Sequence, residues 1–299
     1  MNCAGDSIQP LFSVENRAAR AAVFISGEGS NAVKLLESKA YGDKWQAAVI
    51  VSDRPETSNA ADIAARFGLP FAGLDIKKFY ESHGEKRVSL MTPAGREIRE
   101  LWTERLRKMI APFKVDFGIL AGFVPLTNIS SDFPCLNIHP GDLLYLKEGS
   151  RYLVGLHKIP VERAILEGLD TLRSSVIIAQ TYSGGGEGMD SGPVLAVSVP
   201  VKIDLNGYTL ETLRSVAAER ESLGGKRVAG DILSEVAAAN LEQLKRQGDW
   251  TTFPPAVEAF ASGRYGTDGH GGFFFYDAGE WLAIRTVEFS SDGTYRLMR

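Results

Sequence analysis

Four short apolar runs set the main constraint on how this chain folds. Ala21–Ile25 (AAVFI), Trp45–Val51 (WQAAVIV), Phe117–Leu120 (FGIL) and Cys135–Ile138 (CLNI) are apolar on nearly consecutive residues rather than on alternate ones. A strand with one wet face alternates, whereas a strand buried on both faces does not, so these runs predict a mostly parallel sheet covered by helices. Helical stretches fall between them. Val33, Leu35 and Leu36 have helical spacing within Asn31–Ser38, Thr57–Phe67 is stopped by Gly68, and residues 92–112 are amphipathic. Pro70–Leu74 reads as a further short strand. Strand–helix alternation of this kind predicts an α/β, doubly wound sheet with right-handed crossovers. Ligands in such sheets sit at the carboxyl ends of the strands.

After residue 140 the pattern loosens. Val161–Leu166 reads as a helix, and Ser174–Thr181 and Val194–Val201 as strands joined by a Gly-rich loop. Residues 208–247 read as one or two polar helices broken near Gly224–Gly225, and Pro254–Ala261 as another helix. Phe273–Tyr276 and Trp281–Val287 form a predicted hairpin around Asp277–Gly279. The expected organisation is an extension over 1–20, loosely packed or lying on the surface, a chemistry-bearing domain over 21–205, and helices and a hairpin over 206–299 packed on the same unit.

The net charge is −4, with no basic stripe, which argues against a nucleic-acid partner. No apolar run approaches a membrane span, and MNCAGDSIQP lacks the pattern of a secretory signal. The two cysteines, Cys3 and Cys135, have no metal-binding spacing. Reduced thiols and the absence of a signal lead to an expected cytoplasmic location, with no metal.

Three constellations follow predicted strands or loops. Ser26-Gly27-Glu28-Gly29-Ser30-Asn31 joins the first strand to the first helix. It fits a phosphate cradle of helix N-terminal amides, or simply a tight βα turn with Ser30 as N-cap. Asn137 and His139, two apart on an extended segment, project to one side. Such a pair suits carbonyl polarisation and oxyanion stabilisation, or the His is a strand-end residue satisfied by backbone. Asp190, at the end of the Gly-rich loop, is placed to orient His139 and raise its pKa, or to make an Asx turn.

In combination these segments resemble the folate-dependent formyltransferase family, and within it the glycinamide ribonucleotide branch of purine synthesis. The similar stretches are ISGEGSN (25–31), LAGFV (120–124), LNIHP (136–140), YLVGLH (152–157), MDSGPV with VPV (189–194 and 199–201) and FPPAVEAFASGRY (253–265). The resemblance implies catalytic roles for Asn137, His139 and Asp190. It implies that Gly29, Ser30 and Asn31 hold the substrate phosphate, and that Phe123, Val124 and Met189 line the folate pocket. The implied co-substrate is 10-formyltetrahydrofolate, and the partners are that folate and a phosphorylated amine, with a homodimer left open.

The chain departs from the family pattern in places. Ile177 replaces a usual His, the loop 181–190 and the segment between His139 and Gly155 are longer, and residues 208–247 are expanded. These changes are expected to surround the folate and amine pockets. His157, in the GLH stretch, reads equally as a substrate contact or a structural residue, while His83 and His270 read as solvated. The alternatives are transfer to another amine such as an amino sugar nucleotide, hydrolysis of the folate donor, and a non-catalytic folate- or nucleotide-binding homologue.

Overall fold

A computed structural model describes residues 8–182, 188–222, 224 and 231–299. Cys3, Gly225 and most of the Gly-rich loop (183–187) lie outside the described residues.

The apolar runs form a nine-stranded sheet. Its strands in chain order are β1 (Ala19–Ile25), β2 (Trp45–Ser52), β3 (Phe71–Gly73), β4 (Phe117–Leu120), β5 (Cys135–His139), β6 (Ser175–Ala179), β7 (Val194–Ser198), β8 (Thr286–Phe289) and β9 (Tyr295–Met298). Across the sheet the order is β9-β8-β7-β6-β5-β4-β1-β2-β3. Strands β3, β2, β1, β4 and β5 run parallel, β6 is antiparallel to both β5 and β7, and β8 returns parallel to β7. The chain builds outward from β1 through β2 to β3, then crosses back to place β4 on the other side of β1. The carboxyl ends of β1 and β4 therefore border a topological switch point, where open α/β sheets hold their ligands.

Helices cover both faces. On one face α1 (Ser30–Leu36), α2 (Ala60–Phe67) and α8 (Trp250–Ala261) pack over Val23, Ile25 and Ile119. On the other, α3 (Ile76–Ser82) and α4 (Pro93–Ile110) pack over Phe24, Val49 and Leu120. Helix α4 starts where Thr92 accepts a hydrogen bond from the Gly95 amide at 3.0 Å, with Pro93 at its first position. Its buried stripe includes Ile98, Trp102, Leu106 and Ile110. A separate apolar cluster joins α5 (Ile159–Glu167), α6 (Leu210–Ser222) and α7 (Ile232–Leu244), so the expanded 208–247 region has its own core around Leu213, Leu233 and Val236.

The structure corrects three expectations. The segment from Gln9 to Val14 is anchored rather than loose: Gln9–Pro10 pairs with Tyr265–Thr267, and Phe12 stacks on Phe260 at 4.8 Å. Burial of Leu11, Phe12 and Val14 against the core outweighs the polar composition around them. Trp281–Val287 is not one strand. Glu280–Ala283 completes the hairpin with Phe273–Asp277, and Thr286–Phe289 then enters the central sheet as β8. Helix α8 begins at Trp250, four residues before Pro254, because a π turn over Lys245–Asp249 carries α7 directly into it.

Candidate active site

The turn after β1 forms around a glycine. Gly29 adopts φ +69, and a Cβ there would lie 2.4 Å from Ile63 Cδ1. Only glycine fits both the left-handed backbone and that approach. Gly29 is also the N-cap of α1, without a side-chain cap bond, so the alternative in which Ser30 caps the helix does not hold.

The loop after β4 is held from beneath. Ser26 Oγ donates to Asp53 Oδ1 at 2.5 Å and accepts from the Val124 amide at 2.8 Å. Asp53 is 1% exposed, and burial raises its pKa against the Ser26 hydrogen bond. Phe123 packs its ring against Phe24 (5.2 Å) and Trp102 (6.3 Å). The Phe123–Leu126 wall is therefore fixed by three different strand ends and helices.

Asn137 and His139 share one side of β5. Asn137 is partly exposed, and its side chain makes no hydrogen bond among the described residues. Its cross-strand neighbour is Ile177, which is fully buried and packs with Leu143, Val194 and Val197. The replacement at 177 thus offers Asn137 apolar surface and no polar partner, and Ile177 stays off the cavity wall, contrary to expectation.

His139 is 3% exposed. Its Nε2 lies 2.7 Å from the Leu153 carbonyl, and its Nδ1 lies 3.9 Å from Asp190 Oδ2. A carbonyl only accepts, so Nε2 carries a proton and Nδ1 is the titrating nitrogen. Burial pulls the imidazole below the ordinary histidine range. Asp190 and the Leu153 bond act upward and Arg151 acts downward. Asp190 thus acts in the expected direction, but the net shift is downward, because desolvation disfavours the imidazolium more than the carboxylate favours it.

These groups meet at one cavity of about 850 Å³. Asn31, Phe123, Val124, Asn137, His139, Met189 and Asp190 all line it, and so does His157. Gly29 and Ser30 are not on the wall. His83 and His270 are exposed and lie elsewhere. Its lining includes the apolar side chains of Phe123, Val124, Leu126 and Met189 and the polar side chains of Asn31, Asp249 and Lys245.

Sequence reasoning did not single out Asp249, Lys245 or Arg151. Asp249 ends the π turn, accepts from Asn31 Nδ2 at 2.9 Å and from Ser174 Oγ at 2.5 Å, and is pushed up to about 6 by burial. The π turn depends on Gly248, whose Cβ would lie 2.6 Å from Ser174 Oγ. The one available signal was position: Asp249 lies just before the FPPAVEAFASGRY stretch. Among the described residues, no group of three His, Cys, Asp or Glu side chains is arranged to hold a metal ion. No helix there is long and apolar enough to cross a membrane.

No protein-family model matches the chain. It is 30% identical over 220 residues to a chloroplastic phosphoribosylglycinamide formyltransferase of Arabidopsis thaliana, which covers 71% of this chain and 64% of that protein. It is 26% identical over 244 residues to the trifunctional purine biosynthetic protein adenosine-3 of Homo sapiens, covering 79% of this chain and 20% of that one. The chain thus spans less than two thirds of these relatives. Among solved structures, a phosphoribosylglycinamide formyltransferase from Coxiella burnetii superposes with a TM-score of 0.56 at 20% identity, over 91% of this chain and 100% of that one. A glycinamide ribonucleotide transformylase from Symbiobacterium toebii gives 0.52 at 23%, over 85% and 93%. At these identities the two structures establish a shared fold.

Proposed function

We propose that this chain, which is 30% identical over 220 residues to a phosphoribosylglycinamide formyltransferase, transfers the formyl group of 10-formyltetrahydrofolate to the primary amine of glycinamide ribonucleotide. The observation that carries the reading is the meeting of Asn137, His139 and Asp190 on one cavity whose lining is in part apolar and in part polar. The apolar side chains suit a pterin, and the polar ones suit a hydroxylated, phosphorylated amine.

In this reading the folate supplies the formyl group, and the chain positions and stabilises. The amine nitrogen bonds to the formyl carbon, the carbon's bond to N10 breaks, and one proton passes from the amine to N10. Asn137, whose side-chain amide is unengaged among the described residues, donates to the oxygen that gains charge. A donor of this kind contributes about 3–4 kcal/mol to the transition state. His139 is neutral at rest and presents Nδ1 as a proton acceptor, and Asp190 favours the imidazolium when it forms. Orientation of the two reactants supplies roughly 7–11 kcal/mol more. Of the Gly29–Asn31 turn only Asn31 reaches the cavity, so the phosphate is held at the start of α1 by Asn31, with Lys245 as the nearby cation. The Asn31 side chain already donates to Asp249, so its contribution there is its backbone amide.

The test is a turnover assay with 10-formyltetrahydrofolate and either glycinamide ribonucleotide, an amino sugar nucleotide or no amine. Formylation of the ribonucleotide alone is expected. Faster formylation of the sugar nucleotide would reassign the acceptor. Donor consumption without amine would identify a hydrolase. No consumption under any condition would leave a binding protein.

A further inference from the structure

We infer that Arg151 is a positioning residue for the transfer reaction: its guanidinium grips the backbone of the Asp190 turn and thereby holds the carboxylate opposite His139. The inference rests on the formyl-transfer reading above.

Arg151 ends a small hairpin of Leu146–Lys147 and Ser150–Arg151, turned through Glu148 (φ 52) and Gly149 (φ 78). This hairpin lies in the segment that is longer than the family pattern. One terminal nitrogen of Arg151 donates to the Asp190 carbonyl, and the other donates to the Gly192 carbonyl at 2.8 Å. Both carbonyls are thus gripped by one planar group whose donors have fixed spacing, a geometry that a lysine ammonium does not offer.

The Asp190 carboxylate needs such a grip. Its side chain is 30% exposed, and among the described residues it makes no hydrogen bond of its own. Its place is set by its backbone, a single turn over Met189–Ser191 that follows Gly188 in the left-handed region. The Met189 carbonyl accepts from the Gln180 amide at 3.1 Å, and the Ser191 amide donates to Gly188 at 3.0 Å. Neither bond bears on the Asp190 carbonyl itself. Gly192 is also packed tightly, since a Cβ there would lie 1.9 Å from the Ile178 carbonyl. Arg151 thus ties the Asp190 carbonyl to the tightly packed Gly192 end of the turn. It also lines the cavity, and its charge is one of the influences on His139.

The test combines turnover with titration of His139 by NMR. Arg151→Met keeps the apolar stem and removes the donors. It is expected to lower kcat on the order of 100-fold, the scale of a small misplacement of a reacting group, with the amine KM unchanged. Arg151→Lys is expected to recover part of the rate. The titration needs no turnover. In the wild type, Asp190→Asn lowers the His139 pKa, because the carboxylate favours the imidazolium. In the Arg151→Met background that effect is expected to shrink. Should Arg151→Met not fold, the Arg151→Lys background is read in the same way and a partial loss is expected. A full-sized Asp190 effect in the variant that folds overturns the inference, whatever turnover does. An inactive wild type would instead overturn the formyl-transfer reading.

Discussion

His139 is held by its far nitrogen: Nε2 donates to the Leu153 carbonyl at 2.7 Å, which leaves Nδ1 as the only nitrogen facing Asp190. That one bond selects the tautomer and the ring orientation together. It also makes the chemistry at Nδ1 depend on a backbone atom contributed from 14 residues away.

Gly141 guards this bond. A Cβ at 141 would lie 2.5 Å from the Leu153 oxygen and 3.1 Å from His139 Nε2. Gly141→Ala is expected to push the carbonyl away, cost about 1–3 kcal/mol of stability and lower kcat. Denaturant midpoints and the ¹⁵N shifts of the His139 ring check this. A variant with the wild-type tautomer and rate would refute the role given to Leu153.

The depressed pKa of His139 has a defined consequence for stability. Free histidine titrates near 6.5 and His139 below that, so between the two values the unfolded chain binds more protons. The contribution is full above about 6.5 and is lost as pH falls through the folded-state value. His139→Gln is expected to flatten the stability profile in that window. In the wild type, kcat should rise with pH through the same folded-state value, because Nδ1 acts as acceptor. A rate that falls with rising pH there would require the imidazolium instead.

Asn137→Ala removes a donor that has no side-chain hydrogen-bond partner among the described residues. The expected result is a kcat lower by about 10²–10³, with folate affinity retained by equilibrium titration and little change in stability. An unchanged kcat would contradict the oxyanion role.

Asp249 shows the opposite linkage from His139. Its folded pKa of about 6 lies above the ordinary carboxylate value, so the folded state binds more protons between them. Its contribution is full below about 4 and is lost as pH rises through 6. Asp249→Asn is therefore expected to stabilise the protein at pH 8 on the order of 2–3 kcal/mol, with the gain disappearing near pH 4. Equal effects at the two pH values, measured by chemical denaturation, would contradict the raised pKa.

Ser26→Ala strips partners from the Val124 amide and from buried Asp53. A loss of about 1–3 kcal/mol is expected from the unsatisfied groups. The KM for the folate donor should rise while the amine KM stays constant, since only the Phe123–Leu126 wall loosens. A rise in the amine KM alone would place Ser26 on the wrong side of the cavity.

Much of this was legible in one dimension. Residues 21–25 and 45–51 are apolar without alternation, and that local pattern alone requires burial on both faces and hence a parallel sheet. Asn137, His139 and Asp190 stood out because polar groups of useful chemistry directly follow apolar strands or close a glycine loop. The anchoring of Phe12 on Phe260 was not legible, because neither position carries a periodic signal that names the other.

The sequence by itself determined the sheet class, the crossovers and the strand ends where the polar groups gather, because hydrophobic periodicity and turn chemistry act over a few neighbouring residues. Only the tertiary structure decided the tautomer of His139, the grip of Arg151 on the Asp190 turn and the buried charge of Asp249. Those depend on backbone carbonyls, which every residue carries, and on partners such as Ser174, 75 residues from Asp249, which meet only when the chain is folded.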